Sequence, residues 1–98
     1  MATVNIRREG SSFVWDPPTI TLGANDFIVF ANLDPEAPHQ PTLVGQSADY
    51  WFDDELPAFE DGQPAACSPA INLAGATGTS IQYEDGLNPG GLTGTISF

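Results

Sequence analysis

The 98 residues suffice for one domain and not for two; 10 glycines, 9 prolines and few helix-forming side chains favour a turn-rich all-β architecture over a helical one. Thirteen acidic residues stand against two basic ones, Arg7 and Arg8, for a formal charge of -11. That balance disfavours nucleic acid and anionic membrane surfaces as partners, because phosphate binding needs a basic surface that releases counterions.

In chain order, Val4 and Ile6 alternate with Thr3, Asn5 and Arg7, the period-2 pattern of a half-buried strand, and Glu9-Gly10-Ser11 reads as a turn. Phe13 and Trp15 alternate again, Pro17-Pro18 breaks the run, and Ile20 and Leu22 resume it before a turn at Gly23-Ala24-Asn25. Phe27 to Phe30, running on through Ala31 and Leu33, is the longest apolar stretch and is expected to form a central strand buried on both faces. Asp34 to Pro38 is a polar loop bracketed by proline, and Thr42-Leu43-Val44 a short strand.

From Gln46 to Ser68 no period persists. Asp49, Asp53, Asp54, Glu55, Glu60 and Asp61 are interleaved with Tyr50, Trp51, Phe52, Leu56 and Phe59, which predicts a long excursion with one helical turn. Ile71 and Leu73 open a further strand, Ala74-Gly75-Ala76 turns, and Thr79 to Tyr83 alternates. Glu84 to Gly91 is a loop punctuated by glycine and proline, and Thr93 to Phe98 closes the chain as a strand. About seven or eight short strands at this spacing predict a single sandwich or barrel domain over residues 1–98. No apolar run reaches the roughly 18 residues of a membrane span, so no membrane insertion is expected.

The order Ser12-Phe13-Val14-Trp15-Asp16-Pro17, Ile20-Thr21-Leu22, Ile28-Val29-Phe30-Ala31-Asn32 and Pro38-His39 resembles the first half of plastocyanin-type cupredoxins. The strand ending in Tyr83, the loop after it, and Gly91-Leu92-Thr93-Gly94-Thr95-Ile96 are similar to the second half, where the family has G-M-x-G-x-V. The resemblance covers most of the chain outside residues 46–68. It implies a Greek-key β-sandwich and an exported protein, periplasmic or extracellular. Met1-Ala2-Thr3 leads straight into a strand, so no signal peptide is expected in the chain as given, although a start methionine replacing a removed signal would read identically.

The resemblance also places the first copper ligand of the family on His39, with the others in the last loop as C-x-P-H and a Met eight residues after the Cys. Counting back from Leu92 at the Met position puts Glu84 at the Cys position and Leu87 at the His position. Type 1 copper needs a thiolate, two imidazoles and a weak axial thioether. With one ligand of four retained, blue copper is not expected, nor any other cofactor, and the two leucines are expected to pack an apolar end in place of the metal.

Two readings of His39 stand side by side: a ligand, with Glu84 or Asp85, of a non-blue copper or zinc site, or a rim histidine without metal. Cys67 reads either as a substitute thiolate or as a small, half-buried hydrophobe. The carboxylates Asp49, Asp53, Asp54, Glu55, Glu60 and Asp61 form either a docking patch for a basic protein, as the resemblance implies, or a solvated loop whose Trp51, Phe52 and Phe59 tuck under the sheet. Their spacing lacks the EF-hand calcium pattern. One histidine, one cysteine and no lysine, without G-x-S-x-G, a phosphate loop or H-E-x-x-H, leave no catalytic set. The expected function is a monomeric, non-catalytic binding or structural module; the alternative is an atypical copper- or zinc-binding electron-transfer protein.

Overall fold

A computed structural model describes residues 2–23, 26–46, 48–73 and 80–97. Nine strands lie among them: β1 (Ala2–Glu9), β2 (Ser12–Asp16), β3 (Thr19–Thr21), β4 (Phe27–Asn32), β5 (Pro41–Leu43), β6 (Ala66–Cys67), β7 (Ile71–Asn72), β8 (Ser80–Asp85) and β9 (Thr93–Ser97). No α-helix occurs among the described residues, so the chain is all-β and the helical turn expected in the excursion is absent from its described part. The turn expected at Ala74-Gly75-Ala76 lies outside the described residues.

The strands make two mixed sheets, one ordered β2-β1-β4-β6 with β7 also on β4, the other β3-β9-β8-β5. Parallel pairing joins β1 to β4 and β3 to β9, and the remaining pairs are antiparallel. The break between Trp15 and Ile20 that the two prolines impose is therefore where the chain leaves one sheet and enters the other. Strands β6 and β7 are two halves of one line along β4. Between the pairs Ala31–Cys67 and Ile28–Ile71 this line carries one more residue than β4, a bulge at Pro69, which has no N–H to offer the ladder. Ser68 bridges the gap: its N–H donates to the Phe30 carbonyl and its Oγ accepts from the Phe30 N–H.

Period-2 alternation decides what is buried. Val4 and Ile6 of β1, Phe13 and Trp15 of β2, Ile28 and Phe30 of β4, Ile81 and Tyr83 of β8, and Ile96 of β9 form one core contributed by both sheets. Strand β4 is central but covered mainly on one side, since Phe27 is exposed and Val29 only half-buried, unlike the strand buried on both faces that its composition predicts. Across the core Tyr83 packs edge-on against Trp15 and Phe30, each at 4.9 Å between ring centroids, and stacks with Trp51 at 6.3 Å. The excursion thus seats an aromatic on the core, and Leu56 joins the buried set.

Among the described residues the buried Tyr83 hydroxyl has no hydrogen-bond partner, and burial drives its pKa far up. An unmet buried hydroxyl costs roughly 1–3 kcal/mol. Tyr83→Phe is therefore expected to raise stability by about 1 kcal/mol in urea unfolding; a loss of that size would mean the hydroxyl has a partner in solution.

Candidate functional site

Three inward-facing rows of side chains end in charge at the same end of the core. On β1 the row Val4, Ile6 continues to Arg8; along β4 the row Ile28, Phe30, Asn32 runs on to Asp34; on β8 the row Ile81, Tyr83 ends at Asp85. His39, in the connection from β4 to β5, is 1% exposed and lies between the two carboxylates.

The contacts run in an unbroken line from Arg8 through Asp34 and His39 to Asp85. Arg8 clamps Asp34 with two bonds, Nε to Oδ1 at 3.0 Å and Nη2 to Oδ2 at 2.6 Å. Asp34 Oδ2 is 2.6 Å from His39 Nε2, and Asp85 Oδ2 is 2.6 Å from His39 Nδ1. Asp85 further accepts from the backbone N–H groups of Gln40 and Leu87 and from Asn88 Nδ2. Phe13 lies over the imidazole at 4.3 Å between centroids. Burying charge is costly unless each ion is paired and its remaining sites are hydrogen-bonded, and all four oxygens of Asp34 and Asp85 are so engaged.

Burial, the largest single influence on Asp34, pushes its pKa up. Hydrogen bonds from Arg8, His39 and the Glu36 N–H, with the charge on Arg8, outweigh it and hold the carboxyl below its ordinary range. Asp85 follows the same balance: desolvation raises it, and donation from Gln40, His39, Leu87 and Asn88 lowers it further. Each carboxylate faces one ring nitrogen of His39, so both nitrogens are engaged within the network.

Asn32, fully buried, holds the surrounding loops. Its amide nitrogen donates to the carbonyls of Ala37, Leu56 and Pro57, and its carbonyl oxygen accepts from the Asp34 N–H. His39 and Leu56 also exchange two backbone hydrogen bonds. The histidine is thereby fixed from its backbone as well as its ring.

The placements correct several expectations. Glu84 has the opposite parity on β8 from Tyr83 and Asp85, so of the two carboxylates named as partners for His39 it is Asp85 that meets it. Leu87 and Leu92 do not pack an apolar end: they are 41% and 50% exposed. Leu92 does line an open cleft of about 600 Å³ together with Arg8, Phe13, His39 and Asn88, and Leu87 does not. Cys67 is exposed on β6, at the margin of its sheet, rather than half-buried. Asp49, Asp53, Asp54, Glu55, Glu60 and Asp61 are all exposed, while Trp51 and Phe52 pack against the core.

Period-2 parity was the available signal for Arg8, Asp34 and Asp85, each two residues beyond a core position in its row. Each ring nitrogen of His39 faces a carboxylate oxygen at 2.6 Å, so in this structure neither is turned toward an open coordination position. The groups gathered around His39 are carboxylates, the Asn88 amide and Leu92, a set without the thiolate, second imidazole and thioether that type 1 copper needs. Among the described residues no group of three or more His, Cys, Asp or Glu side chains is arranged to hold a metal ion. Comparison with protein-family models and with curated proteins finds no match for this chain. No helix among the described residues is long and apolar enough to cross a membrane.

Proposed function

We propose that this chain is a cupredoxin-like Greek-key sandwich whose metal-bearing end is closed by an ion network, and that it serves as a non-catalytic binding or structural module. The observation that carries the reading is the pair of 2.6 Å contacts from the two ring nitrogens of His39 to Asp34 and Asp85. Aligned on Asp85 instead of Glu84, the C-x-x-H spacing of the family falls on Asp85 and Asn88, both at the His39 end, while Leu92, which lines the same cleft, stands seven residues after the Cys position, one fewer than the family's eight. Charge pairing then takes over the task of a metal there: it fixes the last loop against the β4–β5 connection.

Two measurements test this. The natural protein, purified without chelators and given Cu(II), is expected to show no intense visible thiolate band. The variant Asp85→Cys, Asn88→His, Leu92→Met frees His39 Nδ1 while Asp34 still orients the ring through Nε2, and is expected to bind one Cu(II) and turn intensely coloured. A coloured natural protein, or a folded variant that stays colourless, overturns the register on which the reading rests. Stoichiometric zinc or copper uptake lost in His39→Ala would instead favour the metal-binding alternative.

A further inference from the structure

A second cleft, of about 230 Å³, opens where the excursion crosses β5, and is lined by Thr42, Leu43, Ala48, Trp51, Phe52 and Asp53. Its size is informative. Pockets that bury a whole small ligand run to roughly 300–1,000 Å³, so this one suits a single long side chain. Its aromatic wall is held in place: Trp51 Nε1 donates to the Pro41 carbonyl at 2.9 Å, and the Trp51 and Phe52 rings lie 6.0 Å apart at 31°. At the rim, Asp53 is exposed and uses one oxygen, Oδ1, to accept from Gln40 Nε2 at 3.1 Å. Both rings are half-buried, so part of each remains open to an occupant.

We infer that this cleft receives a cationic side chain, arginine in preference to lysine, projecting from a basic protein partner. Aromatic faces attract a cation through their quadrupole, a guanidinium can stack on them as a plane, and a carboxylate at the rim completes its hydrogen bonding. The chain cannot fill the site itself. It has only two basic residues, and Arg7 is paired with Asp16 while Arg8 is paired with Asp34 and Glu36. An excess of eleven negative charges, with Asp49, Asp54 and Glu55 exposed and within two residues in sequence of residues that line the cleft, favours approach of a basic surface and repels an acidic one. The inference rests on the reading of this domain as a binding module and supplies the class of partner.

The test is a titration of the full chain at low ionic strength with a peptide of alternating glycine and arginine, and with its citrulline counterpart, which keeps the shape and removes the charge. The indole N–H resonance of Trp51 is expected to move and that of Trp15, which donates to the Leu92 carbonyl at the His39 end, to stay. Asp53→Asn and Phe52→Leu should each weaken the arginine peptide about fivefold, Asp61→Asn less than about twofold, and the citrulline peptide should bind at least about tenfold more weakly. An immobile Trp51 signal, equal binding of citrulline, or an equal loss with Asp61→Asn would overturn the inference, the last by showing only diffuse charge attraction. Asp53 is exposed, so Asp53→Asn gives an answer even if Phe52→Leu perturbs packing. Failure here leaves the copper measurements untouched, and failure there leaves this titration to be decided by itself.

Discussion

Asp85→Ala is expected to lower the free energy of unfolding by about 3–5 kcal/mol, the range for removing one partner of a buried ion pair. The carboxylate serves four donors, and its loss leaves His39 Nδ1, the N–H groups of Gln40 and Leu87, and Asn88 Nδ2 unmatched around a cavity. Against a total stability of roughly 5–15 kcal/mol for a domain, that brings the variant close to unfolding. Glu84→Ala, one residue away on the opposite parity, should cost less than about 1 kcal/mol. Urea midpoints at unchanged slope would measure both. A small loss for Asp85→Ala, or equal losses for the two, would mean the network carries no stability.

The same network fixes the acid limb of the stability curve. Asp34 and Asp85 both have folded-state pKa values below the ordinary range. Unfolded chain therefore binds more protons than folded chain as the pH falls. The stabilisation is complete above the unfolded value, roughly 3.9, and drains away as the pH drops below it through the folded values. Asp85→Asn should start less stable at neutral pH and show a shallower decline between about pH 4 and pH 2. An acid limb as steep as that of the natural protein would assign the linkage to other carboxylates.

Gly94→Ala is the second large effect, expected at about 3 kcal/mol, the upper end of the cost of overpacking a core. Gly94 of β9 is opposite Tyr83 of β8, and a Cβ there would collide with Cζ and Oη of the phenol ring. The ring cannot retreat, since it is fully buried among Trp15, Phe30 and Trp51. Each substitution alone should destabilise, while Gly94→Ala combined with Tyr83→Leu should cost well under the sum of the two, because the smaller side chain leaves room for the methyl. Additivity in thermal or urea unfolding would show that the two positions do not meet.

Much of the fold was legible residue by residue. Alternation at Val4 and Ile6, at Phe13 and Trp15, and at Ile81 and Tyr83 marked strands and their buried sides, since side chains on a strand alternate between faces whatever the neighbours are. Asn32 was visible as part of the strand ending in Ala31-Asn32, but its task, gathering the carbonyls of Ala37, Leu56 and Pro57, was not, because Leu56 and Pro57 lie some 24 and 25 residues further on. The strand β6 went unseen for a related reason: two residues carry no period, and only pairing with β4 makes them a strand.

His39 stood out in the sequence as the single histidine after a proline; its partners did not. Arg8, Asp34 and Asp85 are separated along the chain by 26 residues and more, and each looks alone like an ordinary solvated charge at a strand end. Composition and alternation determined the all-β class, the inward row of each strand and the acidic surface, because these depend on local geometry and on summed charge. Tertiary structure decided that three of those rows end together, that Asp85 rather than Glu84 faces the imidazole, and that both ring nitrogens are engaged. The physical reason is that which ions share a buried site depends on sheet pairing and loop length, and a one-residue difference in a loop turns a side chain from the core to the opposite face.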